Sequence, residues 1–121
     1  MATIDLTKET FQSTINDNEI VFIDFWASWC GPCKSFAPIY DSISEKHGDV
    51  VFAKVNTEEE QELAASFQIR SIPTLMILRD QIVIFSQAGM LPESALDELV
   101  AKTKELDMDQ VRAEIQAQQA G

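Results

Sequence analysis

The sequence predicts an α/β domain, and three observations point to it. Two apolar runs of strand length, Ile20 to Trp26 and Val50 to Val55, are each followed by a segment with helical spacing. Two further apolar runs, Thr74 to Leu78 and Ile82 to Phe85, lie close enough together to form a hairpin. A later stretch repeats Leu96, Leu99, Val100 and Leu106 at helical spacing, which suits a helix covering one sheet face.

Each element has a local reason. Thr7 is placed to cap a first helix running to about Asn16, with Phe11 and Ile15 on one face. Ile20 to Trp26 is apolar on both alternating sets of positions, as expected of a strand covered on both faces, and Asp24 is its single charge. Helical spacing resumes after Pro32 through Phe36, Ile39, Tyr40 and Ile43. Pro38 falls mid-helix, where its ring opposes the Lys34 carbonyl and predicts a kink. Val50 to Val55 is the next strand. Thr57 and Glu60 then form a capping-box signature for a short helix through Leu63, Ala64 and Phe67. The strand, helix, strand, helix order predicts parallel pairing. After Pro73 the hairpin strands flank Arg79-Asp80-Gln81, a turn without glycine, and Gly89 closes the sheet region. Pro92 suits the first turn of the helix that follows. Met108, Val111 and Ile115 continue a weaker stripe, read as an accessory helix in an extension spanning 107–121, beyond a domain spanning 1–106.

With 121 residues, 45% of them hydrophobic, the chain suits a single core. Its net charge of -11 argues against nucleic acid and anionic membranes as partners, since both reward clustered Lys and Arg. No apolar run approaches a membrane span. The first residues are broken up by Asp5, Lys8, Glu9 and Asp17, so no secretory segment is read there and a cytoplasmic location is expected. Structural disulfides are rare in reducing cytosol, so the two cysteines, Cys30 and Cys33, are read as a cycling pair.

A lone CxxC also occurs in zinc and iron-sulfur sites. Zinc needs four ligands, and His47 is the one histidine in the sequence. As a staple, a bridge closing so short a loop would contribute about 2 kcal/mol. Two residues three apart at a helix start lie about one turn from each other on the same side, within reach of an unstrained disulfide.

The string Asp24-Phe25-Trp26-Ala27-Ser28-Trp29-Cys30-Gly31-Pro32-Cys33-Lys34, followed by Ile72-Pro73-Thr74 and then Gly89, resembles the thioredoxin family over roughly residues 3–106. The resemblance implies a central mixed five-stranded sheet flanked by about four helices, with the accessory helix added to it. It also implies a thiol-disulfide oxidoreductase in which Cys30 is the nucleophile and Cys33 the resolving thiol. Cys30 precedes the helix, where free N–H groups and the dipole favour a thiolate, while Cys33 is expected to be the more buried. No bound cofactor or metal is implied. Electrons would come from NADPH through a flavoprotein resembling thioredoxin reductase, and the substrates would be disulfide-containing client proteins of a monomeric carrier.

The resemblance places Asp24 behind Cys33 as its proton acceptor. From the residues alone, burial would raise the Asp24 pKa towards a range useful for proton transfer, and the plain alternative is a satisfied buried acid. Lys54 matches the lysine that the family pairs with this acid, or else is a lysine at an exposed strand end. Ile72-Pro73 would be cis, with the Ile72 backbone binding an extended substrate segment, and Trp29, Pro32, Ile72, Gly89 and Met90 would form a docking patch around Cys30. Trp26 is read either as core packing or as site architecture. Gly31 and Pro32 between the cysteines resemble reductases. A disulfide isomerase or oxidant is a competing reading, and so is a binding or chaperone module in which redox chemistry is secondary.

Overall fold

The computed structural model describes residues 2–120 and contains five strands and five helices in one sequence of elements. The strands are β1 (Thr3–Asp5), β2 (Ile20–Trp26), β3 (Val51–Asn56), β4 (Thr74–Arg79) and β5 (Ile82–Ala88). They form a mixed sheet in the order β1-β3-β2-β4-β5, with β1 and β2 parallel to β3, and β4 antiparallel to both β2 and β5. The helices are α1 (Lys8–Asp17), α2 (Gly31–Lys46), α3 (Gln61–Ser66), α4 (Glu93–Glu105) and α5 (Met108–Ala120).

Strand alternation divides the core between the two sheet faces. Val21, Ile23 and Phe25 of β2 meet Phe11 and Ile15 of α1 and Leu63 of α3 on one side. Ile20 and Phe22 meet Phe36, Tyr40 and Ile43 of α2 and Leu96 and Val100 of α4 on the other. On this second face the rings of Phe22 and Phe52 lie 5.0 Å apart and those of Tyr40 and Phe52 5.5 Å apart. Each such buried ring contributes about 1.5–3 kcal/mol by leaving water. The Tyr40 hydroxyl, fully enclosed here, donates to the Ala53 carbonyl at 2.8 Å. The same alternation that sends Phe22 towards α2 also sends Asp24 there, so a carboxyl group enters an apolar layer.

Most expectations hold. β2 and α1 occupy their predicted spans, with Thr7 capping α1 through a reciprocal pair with Thr10. Gly89 follows the last residue of β5, and α5 occupies the extension. Two details differ. β1 has no signature in its own three residues, because it is defined by pairing Thr3, Ile4 and Asp5 with Phe52, Ala53 and Lys54. The Thr57/Glu60 capping box does not form. Thr57 instead donates both its N–H and its hydroxyl to the Trp26 carbonyl, at 2.8 and 3.0 Å, and the Glu60 carboxylate accepts the Lys8 N–H at 2.8 Å. Helix α3 therefore starts at Gln61 without a side-chain cap. The loop is tied to the end of β2, which sets the chain just ahead of the cysteines.

The hairpin turn is made by Asp80 and Gln81, both in the left-handed region at φ 50 and 68. Positive φ at both positions matches the twist of the flanking strands and normally calls for Asn, Asp or Gly. Asp80 meets that requirement, and its carboxylate accepts from Arg112 of α5 at 3.3 Å. Gln81 does not meet it.

Candidate active site

β2 ends at Trp26 and α2 begins at Gly31, so the intervening residues cross from the sheet to a helix N-terminus. Cys30 is the N-cap of α2, in extended backbone conformation, and its sulfur accepts the backbone N–H of Cys33 at 3.2 Å. Gly31 and Pro32 occupy the first helical positions, where the missing proline N–H costs nothing. A helix N-terminus leaves donors unpaired and carries partial positive charge, and here one of those donors points at a sulfur.

Cys30 and Cys33 are joined by a disulfide, with their Cα atoms 5.2 Å apart. The two residues are equally enclosed, each 3% exposed, so the expected difference in burial is absent. Ala27, Trp26 and Ile72 pack over the pair as a unit. What distinguishes the cysteines is electrostatic and positional. Cys30 receives the helix N–H and lies 3.7 Å from the Ile72 carbonyl oxygen, whereas Cys33 lies within the first turn of α2.

The Ile72–Pro73 peptide bond is cis. The Pro73 carbonyl accepts the Gly89 N–H at 2.8 Å, which brings the segment after β5 against the one before β4. Gly89 has φ 101, a conformation that glycine adopts without steric cost. Beside these, Trp29 is 68% exposed and Met90 42% exposed, while Ile72 is half-buried. Large apolar groups exposed near a reactive bond are the usual mark of a partner site.

Asp24 lies on the same sheet face as α2 and is 1% exposed. Neither carboxyl oxygen has a hydrogen-bond partner among the described residues. Burial pushes its pKa up from 3.8 to about 7; the Lys54 ammonium pulls in the opposite direction, and Asp41 adds a smaller upward push. Lys54 stands opposite Asp24 in the β2–β3 register. Its ammonium, however, lies over the Trp26 ring, 5.0 Å from the centroid. A cleft of about 240 Å³ is lined by Trp26, Cys33, Ala37 and Lys54.

The same fold recurs in solved structures. A mutant thioredoxin from Halobacterium salinarum superposes with a TM-score of 0.79 at 31% identity, covering 87% of this chain and 93% of that one. A thioredoxin from Plasmodium falciparum gives 0.76 at 36% identity, covering 83% and 97%. The thioredoxin family model matches residues 2–102.

The chain belongs to the thioredoxin family.

Among its relatives, a putative thioredoxin 2 of Streptomyces coelicolor is 54% identical over 119 residues, covering 98% of this chain and 89% of that protein. The thioredoxin of Bacillus subtilis is 39% identical over 103 residues, covering 84% of this chain and 98% of its own length. Thioredoxins are thiol-disulfide oxidoreductases, and the joined Cys30–Cys33 pair at the start of α2 is the redox centre this chain brings to that chemistry. Among the described residues no group of three or more His, Cys, Asp or Glu side chains could hold a metal ion. No described helix is long and apolar enough to cross a membrane.

The structure thus gathers Cys30, Cys33 and Ile72 into one contact, places Pro73 and Gly89 beside them, and sets Asp24 and Lys54 opposite each other within the sheet. Two features have no clear sequence signal: the Lys54–Trp26 contact and the enclosed Tyr40 hydroxyl. In the sequence Tyr40 is only an apolar helix position. Trp26 and Asp24 lie two apart on one strand and therefore on one face, which is the signal that could join the first of these residues to the acid.

Proposed function

We propose that this thioredoxin is a protein-disulfide reductase of the cytoplasm. The observation that carries the reading is the Cys33 N–H donating to the sulfur of the N-cap residue Cys30, because it favours a thiolate at the one cysteine that sits outside the helix. In the reduced protein the Cys30 thiolate attacks a client disulfide, forming a mixed disulfide and releasing the first client thiolate. Cys33 then loses its proton to the Asp24 carboxylate and attacks the Cys30 sulfur. The second client thiolate leaves, and Cys30–Cys33 is restored as the disulfide.

The client segment runs alongside Ile72 and the cis Pro73, where the Ile72 carbonyl is already within 3.7 Å of the sulfur. Trp29, Pro32, Gly89 and Met90 supply the apolar surround, and Lys54 moderates the charge of Asp24. NADPH electrons reach the disulfide through a partner flavoprotein of the thioredoxin reductase type, the protein working as a monomer. Residues 1–106 form the redox domain, with 107–121 as an extension built mostly from α5.

Reduction of insulin disulfides with NADPH and a thioredoxin reductase is the direct test. Steady NADPH oxidation that depends on both cysteines is expected. A reduction potential well above the glutathione poise of the cytosol, at about 1.4 kcal/mol for each 30 mV, would move the chain to the isomerase or oxidant class instead.

A further inference from the structure

Lys54 has three kinds of partner within reach. Asp24 lies directly across the β2–β3 register. Trp26 lies on the same face two residues on, the diagonal position that long side chains reach across a pair of strands. Outside, a cleft of about 320 Å³ is lined by Trp26, Lys54 and the acids Asp5, Glu59 and Glu60. The ammonium takes the ring, at 5.0 Å from its centroid. No ion pair among the described residues includes Lys54, and both Asp24 oxygens are left without a hydrogen-bond partner. Tryptophan offers the best face of any side chain for a cation, and this one is half-buried, where water competes least.

We propose that Trp26 is a positioning residue whose ring holds the Lys54 ammonium off the Asp24 carboxyl, so that the two groups interact without pairing. A lysine closed onto Asp24 would hold the carboxylate ionised and make it a poor proton acceptor near neutral pH. A lysine lost to the outer acids would leave Asp24 protonated and unable to accept at all. The ring keeps Lys54 between these limits. Two further titratable groups, Tyr40 and Asp41 of α2, interact with Asp24. Tyr40 is committed to the Ala53 carbonyl, and Asp41 accepts from the Thr3 hydroxyl of β1 at 3.4 Å. Neither of these compensates if Lys54 moves.

The role rests on the reading of Asp24 as proton acceptor, but its test does not need turnover. The Asp24 carboxyl carbon can be titrated by NMR in the oxidised full-length protein, where the cysteines do not ionise. Trp26→Leu frees Lys54 to close on Asp24 and should lower the midpoint by about half to one pH unit; Trp26→Phe, with a weaker cation-binding face, should lower it less. In a Lys54→Met background the same Trp26 substitutions should leave the midpoint where Lys54→Met alone puts it. Should Trp26→Leu fail to fold, Trp26→Phe with and without Lys54→Met completes the comparison. A midpoint that stays put or rises in the Trp26 variants would overturn the proposal, as would an equal fall in the Lys54→Met background. Insulin reduction by the unaltered protein reports separately on the reductase reading.

Discussion

The backbone N–H of Cys33 donates to the sulfur of Cys30 across 3.2 Å. Because that donor belongs to the main chain, it survives replacement of the Cys33 side chain. Cys33→Ser should therefore still attack a client disulfide at Cys30 and then stall, since no second thiol can resolve the mixed disulfide. Incubation with a disulfide client should give a covalent adduct on non-reducing gels that dithiothreitol releases, while Cys30→Ser should give none. Release from Cys33→Ser at the normal rate would show that Cys33 is not the resolving thiol.

Asp24 should make the folded state lose stability as pH rises. Its folded pKa of about 7 lies above the ordinary 3.8, so between these values the unfolded chain releases a proton that the folded chain keeps. Stability is full below about pH 4, falls as pH climbs towards 7, and levels off above that. At 1.36 kcal/mol per pH unit the whole span is worth about 4 kcal/mol. Asp24→Asn cannot ionise, but its amide is also buried without partners and loses part of the gain. Urea unfolding should show the variant about 2 kcal/mol more stable at pH 8, with the advantage crossing zero near pH 5.5 and turning into a deficit of about 2 kcal/mol near pH 4. A constant difference at both pH values would mean that Asp24 is not the titrating group.

Asp24 and the cysteine pair are legible in the sequence because each breaks a pattern: Asp24 is the one charge in a doubly apolar strand, and the cysteines flank a predicted helix start. Local signals also place β2, α1 and α4 well. The rest depends on pairing between distant segments. β1 has three residues, too few for alternation to show, and exists through its register with Phe52 to Lys54. Lys54 meets Trp26 because β3 aligns Lys54 with Asp24, which no local pattern encodes. The Thr57 cap fails for a similar reason, since the Trp26 carbonyl at the end of a distant strand claims its donors.

The rate of the second exchange should also depend on Asp24. General acid-base groups contribute on the order of 10²-fold or more when they accept a proton in the transition state. Asp24→Asn should therefore slow decay of the mixed disulfide by roughly that factor at pH 7, while its formation by Cys30 proceeds normally. Single-turnover kinetics with a fluorescent disulfide client separates the two steps. An unchanged decay would remove Asp24 from the mechanism and leave it as a buried acid alone.

Gln81 stores strain that glycine would release. A left-handed conformation costs an ordinary residue about 1–2 kcal/mol, and glycine gives back part of the gain through its more flexible unfolded chain. Gln81→Gly should raise stability by about 0.5–1 kcal/mol without altering insulin reduction, because the turn lies at the far end of β4 from Pro73. The midpoint of urea unfolding reads the effect directly. A loss of stability would mean that the Gln81 side chain makes a contribution larger than the strain.

Arg79 carries more of the fold than its place at a strand end implies. Its guanidinium donates to the carbonyls of Thr103 at 2.7 Å, Lys104 at 3.4 Å and Leu106 at 2.9 Å, and to Glu19 at 3.1 Å. Those carbonyls lie at the end of α4, where no further turn of helix supplies donors. One side chain thereby joins β4 to the end of α4 and to the start of the link leading into α5. Charge-assisted bonds of this kind are worth about 1.5–3 kcal/mol each, less where water can substitute. Arg79→Met, which keeps the aliphatic stem, should cost about 2–3 kcal/mol in urea unfolding. It should also speed hydrogen exchange in α5 ahead of the sheet, because the Arg112–Asp80 pair and the short apolar stripe of Met108, Val111 and Ile115 would be left to hold that helix. Exchange in α5 that matched the unaltered protein would show that α5 is anchored independently of Arg79.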